Sequence, residues 1–169
     1  VSADVTGVGT ARSLLAATSY GEDKAIFGYG ESSGGVVSLT NLVSNTGVVA
    51  ADVTGVGTAR AALAAASYGG DKGIFGFVTN LTKITNLVSN TGVVAADVTV
   101  SGAGANQLAA ASYGGDKALF GYGYNGAGAG GVVSTTILVS NVGVVAATNT
   151  SGVGTARYRL AAAGYSFSA

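Results

Sequence analysis

The chain has 169 residues, enough for one domain with a sizeable core. Eight basic and eight acidic residues cancel, so no basic field exists to hold a nucleic acid, and no nucleic-acid partner is expected. Cysteine and histidine are absent, which removes disulfides, thiolate nucleophiles, Cys-ligated zinc, the commonest general base and the commonest transition-metal ligand. A hydrophobic fraction of 48% is too high for a solvated coil, so a packed β-rich protein is expected. No apolar run approaches ~18 residues, so no membrane span is expected, and "VSADVTGVGT" has neither the basic region nor the apolar core of a signal peptide. Methionine is missing too, so the expectation is a processed product or a piece of something longer.

Taken in chain order, the first segments are "ADVTGVGTAR" (3–12), a small apolar stretch ending at Tyr20, a Gly-Glu-Asp-Lys turn, and "AIFGYG" (25–30). The loop "GESSGG", the segment "TNLVS", the turn Asn45–Gly47 and "VVAADVT" follow, and then the pattern restarts. Tyr20, Tyr68, Tyr113 and Tyr165 mark one phase of the repeat, at steps of 48, 45 and 52 residues. The second repeat shows the four apolar segments most clearly, as "LAAASY", "GIFGFV", "KITNLVS" and "GVVAADV". Each has strand length and is rich in Val, Ile, Phe, Tyr or Thr.

Gly-Gly-Asp-Lys between the first two segments predicts a hairpin, because Gly supplies positive φ and Asp bonds its own backbone. Asn-Thr-Gly between the last two predicts another. Two tight hairpins per repeat mean antiparallel neighbours. "ARAALAAASYGG" by itself also fits a helix, since Ala is the best helix former. Its fixed phase just ahead of an Ile-Phe strand favours a strand, in which small side chains suit crowding near an axis. Length variation falls almost wholly in the connection after the second strand, which reads "GESSGG", "VTNLT" and "GYNGAGAGG" in turn. In a repeat fold that connection emerges on one face, and variable loops on a fixed scaffold are where binding usually sits.

A four-stranded antiparallel unit of ~45–50 residues has the form of a β-propeller blade. The order of an Arg, a small apolar strand, "IFGYG", a variable loop, "TNLVSNTG" and "VVAADV" resembles the kelch repeat. Ile26–Gly30, Ile74–Phe77 and Leu119–Gly123 match its aromatic-Gly strand end. The paired Gly-Gly of that family is replaced by Gly-Tyr-Gly or Gly-Phe, and its Trp is missing, with Val48, Val93 and Val144 near that place. The near-identical Gly/Ala/Thr-rich repeats also look like kelch-like arrays encoded by phages and other viruses. The resemblance implies an all-β, β-propeller-like array of four-stranded antiparallel blades. About three are complete (units about 12–59, 60–104 and 105–156), with partial units at both ends. Three blades and two fragments do not close a ring, and exposed blade edges invite pairing, so self-association is expected.

Asp23-Lys24, Asp71-Lys72 and Asp116-Lys117 read as hairpin chemistry rather than a repeated cation site. Arg12, Arg60 and Arg157 are expected to pair with Asp4, Asp52 or Asp97 across neighbouring units, the alternative being an anion site. Phe27, Tyr29, Phe75, Phe77, Phe120 and Tyr122 alternate with Gly and read as packing between units. Ligand-contact candidates are therefore loop residues: Glu31, Ser32 and Ser33 in the first loop, Thr79 and Asn80 in the second, Tyr124 and Asn125 in the third. Aromatic, amide and hydroxyl groups together suit a carbohydrate, so a cell-surface glycan is the candidate partner. No cofactor or metal is expected, and no enzyme, since the acids sit in repeated positions whereas a glycosidase needs a unique pair. The expected function is a structural or adhesive repeat protein on a virion or outside the cell, such as a tail fibre, decoration or adhesin component. A multivalent lectin module is the alternative.

Overall fold

The structure, a computed structural model, describes residues 6–77, 83–101, 104–126 and 131–164. Among the described residues the chain forms strands and no helix. In the first repeat β1 (Ala16–Tyr20), β2 (Lys24–Gly28) and β5 (Thr40–Val43) form a three-stranded antiparallel sheet, and the short hairpin of β3 (Glu31–Ser32) and β4 (Gly35–Val36) stands between β2 and β5 in sequence. The second repeat makes a four-stranded sheet of β6 (Ala64–Tyr68), β7 (Lys72–Gly76), β8 (Ile84–Val88) and β9 (Val98–Thr99). The third makes a three-stranded sheet of β10 (Ala109–Tyr113), β11 (Lys117–Gly121) and β12 (Thr136–Val139). The Ala-rich segments are thus strands, as expected.

The first hairpin has one register in all three repeats. Tyr20 pairs with Lys24, Tyr68 with Lys72 and Tyr113 with Lys117, each followed by four further pairs. Two consecutive residues of each turn are left-handed, a backbone twist that suits tight hairpins. Gly69–Gly70 and Gly114–Gly115 adopt it freely, whereas the first repeat places Glu22 there at φ 70°.

The last segment of each repeat departs from a regular fourth strand. Val43 pairs with Val49 and Thr40 with Val53, so the last segment holds one more residue than the strand beside it. That is a β-bulge, and the Asn41 amide fills it by donating to Ala50 O at 3.1 Å. The second repeat has the same mismatch, filled by Asn86 donating to Ala95 O at 2.9 Å. In the third, Val139 pairs with Val145 and Thr136 with Thr150, so the bulge is wider by one residue and Ile137 stands in place of the Asn. The expected four-stranded meander is reached as a ladder only in the second repeat. In the other two, isolated bridges hold the last segment, whereas the second repeat, with the same bulge as the first, adds the pair Ile84–Thr99 beside Thr85–Val98.

Consecutive sheets pack face to face, with β6 lying against both β1 and β10. The interlock is a ring on a glycine. Phe75 sits over Gly28, where a Cβ would come within 2.6 Å of the ring, and Phe120 sits over Gly76, where it would come within 2.8 Å. Tyr29 meets Phe75 edge-on at 5.3 Å, and Phe77 meets Phe120 edge-on at 5.0 Å. Both cores are built from these rings and from Ile26, Ile74, Val88, Ile137 and Val139.

Backbone hydrogen bonds also cross between repeats. Ala62 N–H donates to Leu14 O (2.9 Å), Gln107 N–H to Ala62 O (3.2 Å) and Arg159 N–H to Gln107 O (2.9 Å). All four residues have positive φ, between 51° and 59°. This left-handed backbone is uncommon for residues with a Cβ, and here the same four residues carry one rung per repeat. A second set joins the turns, from Gly21 N–H to Asp71 O and from Gly69 N–H to Asp116 O, each at 2.7 Å.

Candidate functional site

The charged turn pairs come first, being the most conspicuous polar feature. Lys24, Lys72 and Lys117 each reach the Asp before them, at 2.9, 2.7 and 3.0 Å. The second carboxylate oxygen of Asp23 accepts from Asn45 Nδ2 at 3.0 Å, and that of Asp71 from Asn90 Nδ2 at 3.0 Å. Each pair therefore ties the first hairpin turn to the last one of the same repeat. Hydrogen bonds from Lys24 and then Asn45 hold the Asp23 carboxyl below its ordinary pKa, and Lys72 and Asn90 do the same for Asp71.

A second polar cluster closes the entry to each repeat. Thr10 donates its backbone N–H (2.9 Å) and its hydroxyl (2.7 Å) to Asp52 Oδ2, while Asn41 Nδ2 donates to Asp52 Oδ1 at 2.9 Å. Thr58, Asn86 and Asp97 repeat this at 3.0, 2.6 and 2.9 Å. The Thr10 and Asn41 hydrogen bonds lower the Asp52 pKa. For Asp97 burial opposes the charge, but the bonds from Thr58 and Asn86 outweigh it and the pKa is again lowered.

Of the expected Arg–Asp pairings, Arg60–Asp97 is present among the described residues, as a long ion pair within one repeat rather than across neighbouring ones. Arg60 lies 3.9 Å from Asp97, too far for a good hydrogen bond, and its guanidinium instead covers the Tyr29 ring at 3.9 Å. Arg157 covers Tyr122 in the same way at 4.7 Å. Arg12, which has no such ring before it among the described residues, bonds Tyr29 O (3.1 Å), Leu39 O (2.6 Å) and Asn41 Oδ1. The physical reason is that Asp52 and Asp97 already accept from Thr and Asn, so an aromatic face is the better partner for a buried planar cation. Asp4 lies outside the described residues.

The third repeat exchanges the whole arrangement at once. Thr58, Arg60 and Asn86 become Ala103, Ala105 and Ile137, and the Ala-Ala-Asp of 95–97 becomes the Ala-Ala-Thr-Asn of 146–149. The ring facing the lost Arg changes as well, from Tyr29 to Phe77, and Ala105 and Ile137 are buried. A polar junction has been replaced by an apolar one.

The loop candidates are placed as follows. Glu31 is bridged to Ser13 by two backbone hydrogen bonds of 2.9 Å, and Tyr124 is bridged to Asn106 by the same two bonds at 2.9 Å. The first and third loops therefore leave the scaffold at equivalent points. Ser32 donates to Gly35 O (3.1 Å) and accepts from Gly34 N–H (3.3 Å), so its hydroxyl shapes the hairpin; Glu31 and Ser33 are exposed. Asn125 N–H bonds Gly131 O at 2.7 Å. Thr79 and Asn80 lie outside the described residues. Beside Tyr124 stands Tyr158, 46% exposed, with ring centroids 6.1 Å apart and planes inclined by 51°. Sequence reasoning missed Tyr158; its signal was a departure from the repeat, since Ser13, Ala61 and Asn106 hold that position elsewhere.

Among the described residues no three Asp or Glu side chains gather as a metal site requires, and no helix is long and apolar enough to cross a membrane. Two cavities mark the ends of the array. One of about 670 Å³ is lined by Val8, Arg12, Leu15, Phe27, Asn41 and Val48 in the first repeat, and one of about 310 Å³ lies beside Gly121 in the third. In comparisons with known proteins, no family model matches the chain and no curated protein is similar to it.

Proposed function

We propose that this chain is a structural or adhesive repeat protein: a propeller-like array of blades, kelch-like in pattern, that presents its variable loops for attachment. The observation that carries this reading is how the polar residues divide. Those that recur from repeat to repeat are spent on hairpin ties, bulge filling and junctions. Among those that do not recur, Glu31, Ser33, Tyr124 and Asn125 sit on two loops that leave equivalent points of the scaffold. A catalyst needs a unique group of reactive side chains, and the recurring carboxylates here are hydrogen-bonded ties, so the role is non-catalytic. A virion or extracellular surface suits a chain without reactive thiols, and units that bury rings against one another suit self-association. The test is the mass of the native assembly, measured together with adhesion to cells before and after the first and third loops are replaced by Gly-Ser turns. A monomer that adheres equally well without those loops overturns the reading.

The lectin reading rests on one observation, the Tyr124–Tyr158 pair beside Asn125. Tyrosine faces stack on sugar rings while amides bond hydroxyls. A glycan array run with the unaltered protein and with Tyr158→Ala tests it, and glycan binding lost in the variant is the expected result.

A further inference from the structure

Asn125 is the one asparagine of the chain that precedes a glycine. Asparagine is a chemically labile residue. The backbone nitrogen of the residue after it attacks the side-chain amide carbon and closes a five-membered ring. That attack needs little bulk on the following residue and a backbone able to bring its nitrogen round. Glycine offers both, since it has no Cβ and enters left-handed conformations at little cost. Gly126 is exposed and holds φ 81°. Behind it the chain is pinned: Tyr124 is bridged to both Asn106 and Val132, and Asn125 N–H donates to Gly131 O at 2.7 Å. The reactive pair therefore stands at the base of the third loop, just beyond that rung.

The other asparagines are placed where this attack is hindered. Asn41 and Asn86 lie inside β5 and β8, and their amides donate to Asp52 and Asp97 at 2.9 Å each. Gln107 N–H, the group that would attack Asn106, donates to Ala62 O at 3.2 Å, and Thr150 N–H, beside Asn149, donates to Thr136 O at 2.8 Å. Asn45 and Asn90 precede threonine and Asn141 precedes valine, whose branched Cβ crowds the approach. The amides of Asn45 and Asn90 are also held by Asp23 and Asp71. Asn80, outside the described residues, precedes leucine.

We infer that Asn125–Gly126 is a self-modifying site, with water as its only co-reactant. Gly126 N bonds to Asn125 Cγ, its proton passes through water to the departing amide nitrogen, and the Cγ–N bond breaks with loss of ammonia. Water then opens the cyclic imide at either carbonyl, so one amide becomes one carboxylate, on an aspartate or an isoaspartate. The zero net charge of the chain becomes negative. The isoaspartate form also puts an extra carbon into the backbone directly after the Asn125–Gly131 rung, which re-aims the loop beside Tyr124. The inference goes beyond the adhesive reading and does not depend on it.

The test incubates the full chain at physiological temperature beside a free peptide copying residues 121–131, which sets the rate of the unconstrained pair. Ion exchange should resolve a growing acidic form, and ammonia should appear in equal amount. Peptide mapping with electron-transfer fragmentation should place both aspartate and isoaspartate at position 125. Gly126→Ala should slow the conversion by at least about tenfold through its added Cβ. Asn125→Gln, which would have to close a larger ring, should abolish it, with strand circular dichroism unchanged in both variants. A protein that keeps its neutral form while the peptide converts fully overturns the inference, because the fold then protects the pair. So does an acidic form that maps to another asparagine, or one that arises equally fast in Gly126→Ala.

Discussion

Phe27, Phe75 and Phe120 hold the same place in the repeat, yet Phe27 is 37% exposed and the other two are 0% exposed. The difference is positional, since among the described residues only the latter two have a glycine of the preceding repeat beneath them. Phe75→Ala and Phe120→Ala are therefore expected to cost about 3–5 kcal/mol each in chemical denaturation, and Phe27→Ala less than about 1 kcal/mol. Glu22 is the converse case, a residue at φ 70° where the other repeats place Gly70 and Gly115 at 81° and 82°. Glu22→Gly should raise stability by about 0.5–1 kcal/mol, read as a higher thermal midpoint. That the aromatics pack between units was legible from their alternation with Gly. Which glycine each ring covers was not, because that glycine lies in the preceding repeat and no local pattern points to it.

At the scale of elements, the bulge in the last segment and the Arg–Tyr junction are the features that vary from repeat to repeat. The Arg60–Tyr29 stack predicts coupling between the two residues: Arg60→Ala and Tyr29→Leu together should cost less than the sum of the single changes, by about 0.5–2 kcal/mol in a double-mutant cycle. The natural Phe77–Ala105 junction already lacks the cation. The bulge cluster carries a pH dependence. Asp52 and Asp97 have folded pKa values below those of the unfolded chain, so their contribution is present above about pH 4 and is lost as pH falls through the folded values. Asp97→Asn should lower stability at neutral pH and flatten the acid limb of the unfolding curve measured from pH 5 downward. Strands and both hairpins were legible, since turn residues and apolar runs are local signals. The bulge was not, because one extra residue becomes visible only when two strands are laid in register.

For the whole molecule, the cross-repeat rungs at Leu14, Ala62, Gln107 and Arg159 predict a gradient of protection. Ala62 and Gln107 amides, each with a sheet on both sides, should exchange more slowly than Arg159, which lies at the exposed end of the series. Equal rates at all three would mean that the rungs do not join the repeats into one cooperative unit. The candidate loops were legible at this scale through their unequal lengths, and the equivalent bridges at Glu31 and Tyr124 place two of them at corresponding points. Tyr158 joined Tyr124 only through the fold, 34 residues along the chain. By itself the sequence determined that this protein is an array of antiparallel ribbons, because strand length, turn chemistry and repeat phase are written within single units. Tertiary structure alone decided which polar residues are ties and which rings are locked. Those outcomes depend on how one unit buries the next, and burial is a relation between surfaces that no stretch of residues contains.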